Sequence, residues 1–287
     1  MAVVMYFAPA VLLADATAHA APIVDPRVPI PFQPTLTQTS TGIPAVNITA
    51  PNSNGLSLNS YQSFNIDSQG LVLNNSLTGG TPLQGGTLGA NPNLAGRTAT
   101  TIINEVTSTG PASSLLGPLE VFGNSATVII SNPNGISVNG MALTNMPGLV
   151  LTTGSVQFLT GVGGTSTNFA NAGALAYSVN SGNISINGPP GVNGPRAGIA
   201  GTVGNIDIIG QTLNVNAPLQ ADSRVNLVAG SQLVMPTASD STGTTYGTTS
   251  NGAVNTATAI GNGGVAIDAD QFGSVTRLPR PASRSSR

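Results

Sequence analysis

The sequence predicts an all-β protein in which short strands are stacked as the rungs of a parallel β-helix. Three observations carry this. Apolar–polar alternation recurs in runs of only three to five residues, which is the period of a half-buried strand. These runs follow one another more closely than the roughly 8–12 residues expected between the strands of a sandwich. Asn is abundant and often sits at the ends of the runs, where side-chain amides of stacked rungs can form hydrogen-bonded ladders. No helical period is sustained over three turns.

Taken in order, residues 2–13, AVVMYFAPAVLL, match the length of a signal-peptide core, and Ala18-His19-Ala20 supplies a small-x-small cleavage pattern. Residues 1–20 are therefore read as a secretory leader that lacks a basic n-region; a buried apolar strand is the competing reading. The run is too short to span a membrane as a helix. Residues 21–41 contain five prolines and read as an extended lead-in. From 42 to 275 the texture is uniform. Strands are expected around Leu56–Leu58, Phe64–Ile66, Leu71–Leu73, Ala126–Ile130, Ile136–Val138, Ile184–Ile186, Ile206–Ile208 and Leu213–Val215. A short helix is the best reading of 111–116. The Thr/Ser/Gly-rich stretch 231–265 lacks strand patterning until Val265 and is expected to be a loop excursion between coils. Residues 276–287 form an Arg/Pro/Ser tail, expected to be disordered.

Composition removes several chemistries. Only 6% of the 287 residues are charged, against 40% hydrophobic, and there is no Cys, so disulfides and Cys-based metal sites are excluded. All eight basic residues are Arg, and the single histidine is His19. Without His after leader cleavage a Ser–His–Asp relay is impossible. Without Lys a phosphate-cradling reading of Gln84-Gly85-Gly86 fails. Glu105 and Glu120, the two glutamates, are expected at the ends of exposed strands, because isolated charges normally face water. No catalytic residue, metal ligand or cofactor site is assigned. The four tail arginines invite a nucleic-acid reading, but the abrupt change of texture favours a tail without that function.

The specific feature is a repeated turn. Asn132-Pro133-Asn134-Gly135 separates two alternating runs, and Asn91-Pro92-Asn93-Leu94 shares its first three residues. Asn at the first position, Pro at the second, and Asn then Gly at the third and fourth suit a type I turn. Taken alone, each is an ordinary strand-to-strand turn.

The pair NPNL and NPNGI, within ANPNLAGRTATTIINEVTSTGPASSLLGPLEVFGNSATVIISNPNGISVNG (90–140), resembles the paired signature of the secretion domain of two-partner-secretion (TPS) exoproteins of the filamentous haemagglutinin and haemolysin type. PAVNITAPNSNGLSLNSYQSFNIDSQGLVLNN (44–75), VNAPLQADSRVNLVAG (215–230) and AIDADQFGS (266–274) resemble further blocks of it. The resemblance implies a right-handed parallel β-helix with an N-terminal cap and extra-helical strands or loops. It implies export through the periplasm to the cell surface or beyond. It also implies recognition by a cognate outer-membrane β-barrel transporter with periplasmic domains, passage unfolded, and folding outside. The secretion-motif positions carried over are Asn91, Pro92, Asn93 and Leu94, and Asn132, Pro133, Asn134, Gly135 and Ile136. Leu94 and Ile136 are expected to be inward anchors after each turn. Family members run on into adhesin or toxin sequence, so a fragment, a remnant and a small stand-alone exoprotein all fit. Glycan adhesion to a host or neighbouring-cell surface is the second functional reading, and a polysaccharide-active β-helix enzyme the third.

Overall fold

The computed structural model describes residues 21–161, 164, 168–188, 198–240, 243–250, 264–267 and 275–277. The expected leader, 1–20, lies outside them. The chain winds through a three-faced column. Each coil crosses a first, a second and a third face in turn, and each face is a parallel sheet.

Two short strands come first, β1 (Ile23–Val24) and β2 (Thr35–Gln38). The first coil then places β3 (Pro44–Asn47) on the first face and β4 (Leu56–Ser63) on the second. It reaches the third through a single parallel bridge from Ile66 to Leu115. The second coil contributes β5 (Leu71–Asn75), β6 (Thr101–Val106) and β7 (Ser113–Leu115). The third contributes β8 (Leu119–Gly123), β9 (Thr127–Ser131) and β10 (Ile136–Asn139). In the fourth, the long β11 (Met141–Thr152) covers two faces. An excursion with β12 (Ser155–Leu159) and β13 (Ala174–Val179) follows, and β14 (Asn183–Asn187) closes the coil. The fifth has β15 (Ile199–Gly210), again spanning two faces, and β16 (Thr212–Val215). The sixth has β17 (Leu219–Ala221), β18 (Arg224–Ala229), the excursion β19 (Gln232–Asp240) and β20 (Gly243–Ser250), and β21 (Gly264–Ile267). Finally β22 (Val275–Arg277) pairs with β17. Two residues assigned to the tail thus lie in a strand, and 278–287 fall outside the described residues.

Register stacks like on like. Ile102, Val128, Leu149 and Ile206 align on the second face, and Ile136, Ile184 and Leu213 on the third. All belong to one continuous buried cluster. Burying each such side chain is worth roughly 1.5–3 kcal/mol, gained coil by coil along the axis. The expected Asn ladders are present: Asn74 Nδ2 donates to Asn47 Oδ1 at 2.8 Å, Asn214 Nδ2 to Asn183 Oδ1 at 2.9 Å, and Asn216 Nδ2 to Asn187 Oδ1 at 3.0 Å. β11 turns its corner at Asn145, whose φ of 60° is left-handed. The Asn145 amide donates to the carbonyls of Val121 and Gly123 in the coil before.

Two parts depart from the simple column. The Pro-rich lead-in forms a cap: β1 pairs antiparallel with β4, and β2 with β3. Arg27 grips the buried Asp25 carboxylate at 2.9 Å through both Nε and Nη2, and Thr107 Oγ1 donates to the same group at 2.5 Å. The second part is a four-stranded antiparallel sheet, β12-β13-β19-β20. It lies over the outer side of the second face and buries Leu58, Ile103, Ile129 and Val150 against Val156, Tyr177 and Val234. The second face is therefore apolar on both sides, which is why its strands read as near-continuous apolar runs such as TVII and GLVL.

Three expectations are corrected. The stretch 231–265 contains an antiparallel hairpin, bulged between Pro236 and Ala238, and not only a loop. Its Thr residues are β-branched strand formers, and its partner β13 lies more than fifty residues earlier in the chain. Residues 111–116 form no helix; Ser113–Leu115 is a strand paired with β10. Phe64 and Ile66 are buried, but only the isolated bridge at Ile66 forms there.

Candidate functional site: the two Asn-Pro-Asn turns

The NPNG turn connects β9 to β10 at the corner between the second and third faces. Gly135 N donates to Asn132 O at 3.0 Å, closing a β-turn. The Asn132 side chain is 1% exposed and fully engaged. Its Oδ1 accepts from Asn134 N at 2.9 Å and Asn134 Nδ2 at 2.8 Å. Its Nδ2 donates to Ser113 Oγ at 3.0 Å and to Pro111 O at 3.3 Å, both in the preceding coil. Asn134 Nδ2 also reaches back, to Ser108 O at 2.9 Å. The next coil then settles on top: Ser181 Oγ donates to Pro133 O at 3.1 Å. Gly135 has φ of 121°, and a Cβ there would lie 3.0 Å from Asn183 O. This position therefore needs glycine on both conformational and spatial grounds.

The NPNL turn follows a covering excursion between β5 and β6, at the corner between the first and second faces. Its local grammar is the same. Asn91 is buried, its Oδ1 accepts from Asn93 N at 2.9 Å, and its Nδ2 donates to Asn74 O at 2.7 Å and Ile48 O at 2.9 Å. Asn93 Nδ2 reaches back to Asn47 O at 3.0 Å. Leu94 and Ile136, each 1% exposed, enter the same core cluster. The two turns therefore occupy different corners of successive coils and do not form one patch. What they present outward is chiefly proline: Pro92 is exposed and Pro133 half-buried.

Sequence reasoning missed a second set of buried polar anchors. Asn75 Nδ2 donates to Ala99 O and Asn124 O, and its Oδ1 accepts from Ala99 N, tying the returning NPNL segment to the column. Glu120, expected at an exposed strand end, is 3% exposed. Its two carboxylate oxygens accept from Leu83 N at 2.8 Å and Gln84 N at 2.9 Å, so it holds the excursion over the first face. Glu105 lies within β6 under the four-stranded sheet, where it accepts from Val156 N at 3.3 Å and burial pushes its carboxyl up. The exposed-end expectation fails for both because segments arriving from elsewhere, the 76–90 excursion over Glu120 and β12 over Glu105, cover the outer faces on which they stand. The repeated xNPN pattern could be found by eye; these anchors, single Asn or Glu residues within or at the end of an alternating run, carried no comparable signal.

With this geometry in view, the chain matches the model of the TPS secretion domain over residues 23–279. It belongs to that family. Filamentous hemagglutinin of Bordetella pertussis is 39% identical over 180 residues, covering 62% of this chain and 4% of that protein. Hemolysin of Serratia marcescens is 37% identical over 238 residues, covering 80% of this chain and 14% of that one. The crystal structure of the filamentous hemagglutinin secretion domain superposes with a TM-score of 0.64 at 30% identity, over 89% of this chain and 75% of that one. The chain thus spans only 4–14% of the length of these two relatives. As members of this family are exported exoproteins, the TPS chain is exported through the periplasm to the cell surface or the medium.

Proposed function

We propose that the chain is the N-terminal secretion domain of a larger adhesin- or haemagglutinin-like exoprotein. A cognate outer-membrane β-barrel transporter recognises it through periplasmic domains, and its two Asn-Pro-Asn turns lock each new coil onto the one before as it emerges. It acts by folding and binding rather than by catalysis.

The observation that supports this is the direction of the contacts. Asn91 donates to residues 48 and 74, Asn93 to residue 47, Asn132 to residues 111 and 113, and Asn134 to residue 108. Every one of these partners precedes the turn in the chain. A segment leaving a pore N-terminus first would find these partners already outside. Completing each turn then sets the following inward anchor, Leu94 or Ile136, into the column. Apolar burial at roughly 25 cal/mol per Å² makes each added coil favourable on the outer side only, and biases passage without ATP.

The test is co-expression with the cognate transporter, with secreted protein quantified in the medium for Asn91→Ala and Asn132→Ala. Binding of the same chains, held unfolded in urea and diluted, to the transporter's soluble periplasmic domains is measured in parallel. Secretion is expected to fall together with folding stability while periplasmic binding stays within about twofold. Normal secretion of a destabilised, still-bound variant would refute the folding bias. Loss of periplasmic binding with wild-type stability would make the turns recognition elements instead.

A further inference from the structure

The four-stranded sheet does not seal against the column along its whole length. Between the two lies a cavity of about 240 Å³. Its floor is one outward-facing row of the second face, in which Thr101 aligns with Thr127, and Gly148 with Asn205. The adjacent outward row carries the bulky Ile103, Ile129 and Val150, which pack against the covering sheet. Small and polar residues in the first row leave a trough where those large ones would fill it.

The trough has a defined chemistry. Tyr177 and Tyr246 stand on the covering sheet with ring centroids 6.4 Å apart, tilted by 58°. Asp207 is 4% exposed and is the one charged group lining the space. It accepts from Tyr246 Oη at 2.8 Å and from Asn226 Nδ2 at 2.6 Å. Burial pushes its carboxyl up, against the hydrogen bonds from Asn226 and Tyr246. Asn205 Oδ1 is buried and has no hydrogen-bond partner. Gly243, with φ of 129°, packs against that oxygen, and a Cβ there would fall 2.7 Å from it. An enclosed acceptor without a donor is unfavourable, and it marks the floor of the trough as imperfectly packed.

We propose that this cavity is a binding site for a single neutral sugar ring, free or at the end of a glycan. One ring face lies against the half-buried Tyr246, and its hydroxyls exchange hydrogen bonds with Thr101 and Thr127 and donate to Asp207, with Asn205 beside them in the floor. The volume sets the size. It is below the roughly 300–1,000 Å³ of sites for drug-sized ligands, so it takes one ring and not a chain. A calcium ion wants six to eight oxygen ligands with several carboxylates among them, and one carboxylate is too few. An anionic group would be repelled by Asp207. Ser239 and Gly173, both exposed, line the open side through which a glycan terminus would enter. This site is separate from the Asn-Pro-Asn turns and stands independently of the proposed secretion role.

Gly148 offers a clean test. A Cβ there would meet Thr127 at 3.4 Å, an ordinary contact, so the branch point of Gly148→Val fits and its methyls project into the trough. The purified full chain, isotopically labelled, is titrated with glucose, galactose, mannose and N-acetylglucosamine, and in separate arms with calcium chloride and sodium sulfate. Amide shifts are followed by NMR. The expected result is saturable shifts around Thr127, Asn205 and Tyr246 with at least one sugar, at a dissociation constant on the order of 1 mM. Gly148→Val should weaken this about tenfold or more. Thr127→Val, which keeps shape and removes one hydroxyl, should weaken it several-fold and serves as the readout if Gly148→Val changes the spectrum globally. The proposal is overturned if no sugar saturates these residues by about 50 mM, if neither variant weakens binding, or if calcium or sulfate occupies the trough instead.

Discussion

Replacing Asn132 by Ala removes the most heavily engaged side chain of the NPNG turn. Four hydrogen bonds go at once: two donated to the preceding coil and two accepted from Asn134. A net contribution of about 0.5–1.5 kcal/mol applies to each donated bond, the 3.3 Å bond to Pro111 O counting at the low end. Asn134 N and Ser113 Oγ lose partners next to a residue that is 1% exposed, and an orphaned buried group costs about 1–3 kcal/mol. Together these give a loss of about 2–4 kcal/mol. With a urea dependence of about 2–3 kcal/mol per molar, the unfolding midpoint should drop by about 1 M. Pro133→Ala is the control. It keeps the carbonyl that Ser181 contacts and releases only the fixed φ, worth about 0.4–1 kcal/mol. Far-UV circular dichroism in urea measures both. If Asn132→Ala costs no more than Pro133→Ala, the turn's amide is not what holds the coils together, and the stacking argument fails.

Other outcomes follow from the same contacts. Gly182→Ala should cost about 1–3 kcal/mol, because Gly182 has φ of 90° and a Cβ would stand 2.8 Å from Thr153 Cβ and 2.9 Å from Pro133 O; thermal unfolding reads this directly. Glu120→Gln keeps one acceptor oxygen and loses the other, so the 76–90 excursion should become cleavable by protease at least several-fold faster, with about 1.5–3 kcal/mol lost. The Asp25 carboxyl is held well below its usual range, first by the Arg27 side chain and then by Thr107. Its folded-state value is depressed, so its contribution to stability is present above the unfolded value near 3.9 and is lost as pH falls below that. The stability difference between the wild type and Asp25→Asn should therefore be constant from pH 8 to about 5 and shrink below about 4, as checked by urea midpoints across that range.

Much of this architecture was legible because stacked parallel strands repeat their chemistry. Ile184–Ile186 and Leu213–Val215 announced themselves as strands by alternation, and they are indeed neighbours in register. Leu94 and Ile136 could be placed inward because each follows a turn whose geometry Pro and Asn fix locally. The four-stranded sheet was hidden for the opposite reason. Its last hairpin, Gln232–Asp240 with Gly243–Ser250, is Thr- and Ser-rich, and its one buried seam runs through Val234 and Tyr246. A strand with so little alternation is defined by the sheet it joins, and β13 joins it across a long separation in sequence.

Local side-chain chemistry was enough to settle that this chain is all-β, where its two special turns lie, and which residue after each turns inward. Backbone dihedral preference and the two-residue period of a strand act within a few residues, so they are written in the sequence itself. Which outer faces are covered was decided only by the three-dimensional winding. Glu120 and Asp207 look like ordinary solvent-facing charges until a distant loop or hairpin closes over them. Their burial, and the trough beside Asp207, depend on which coil stacks beneath which excursion. That is a long-range packing outcome which no short stretch of residues encodes.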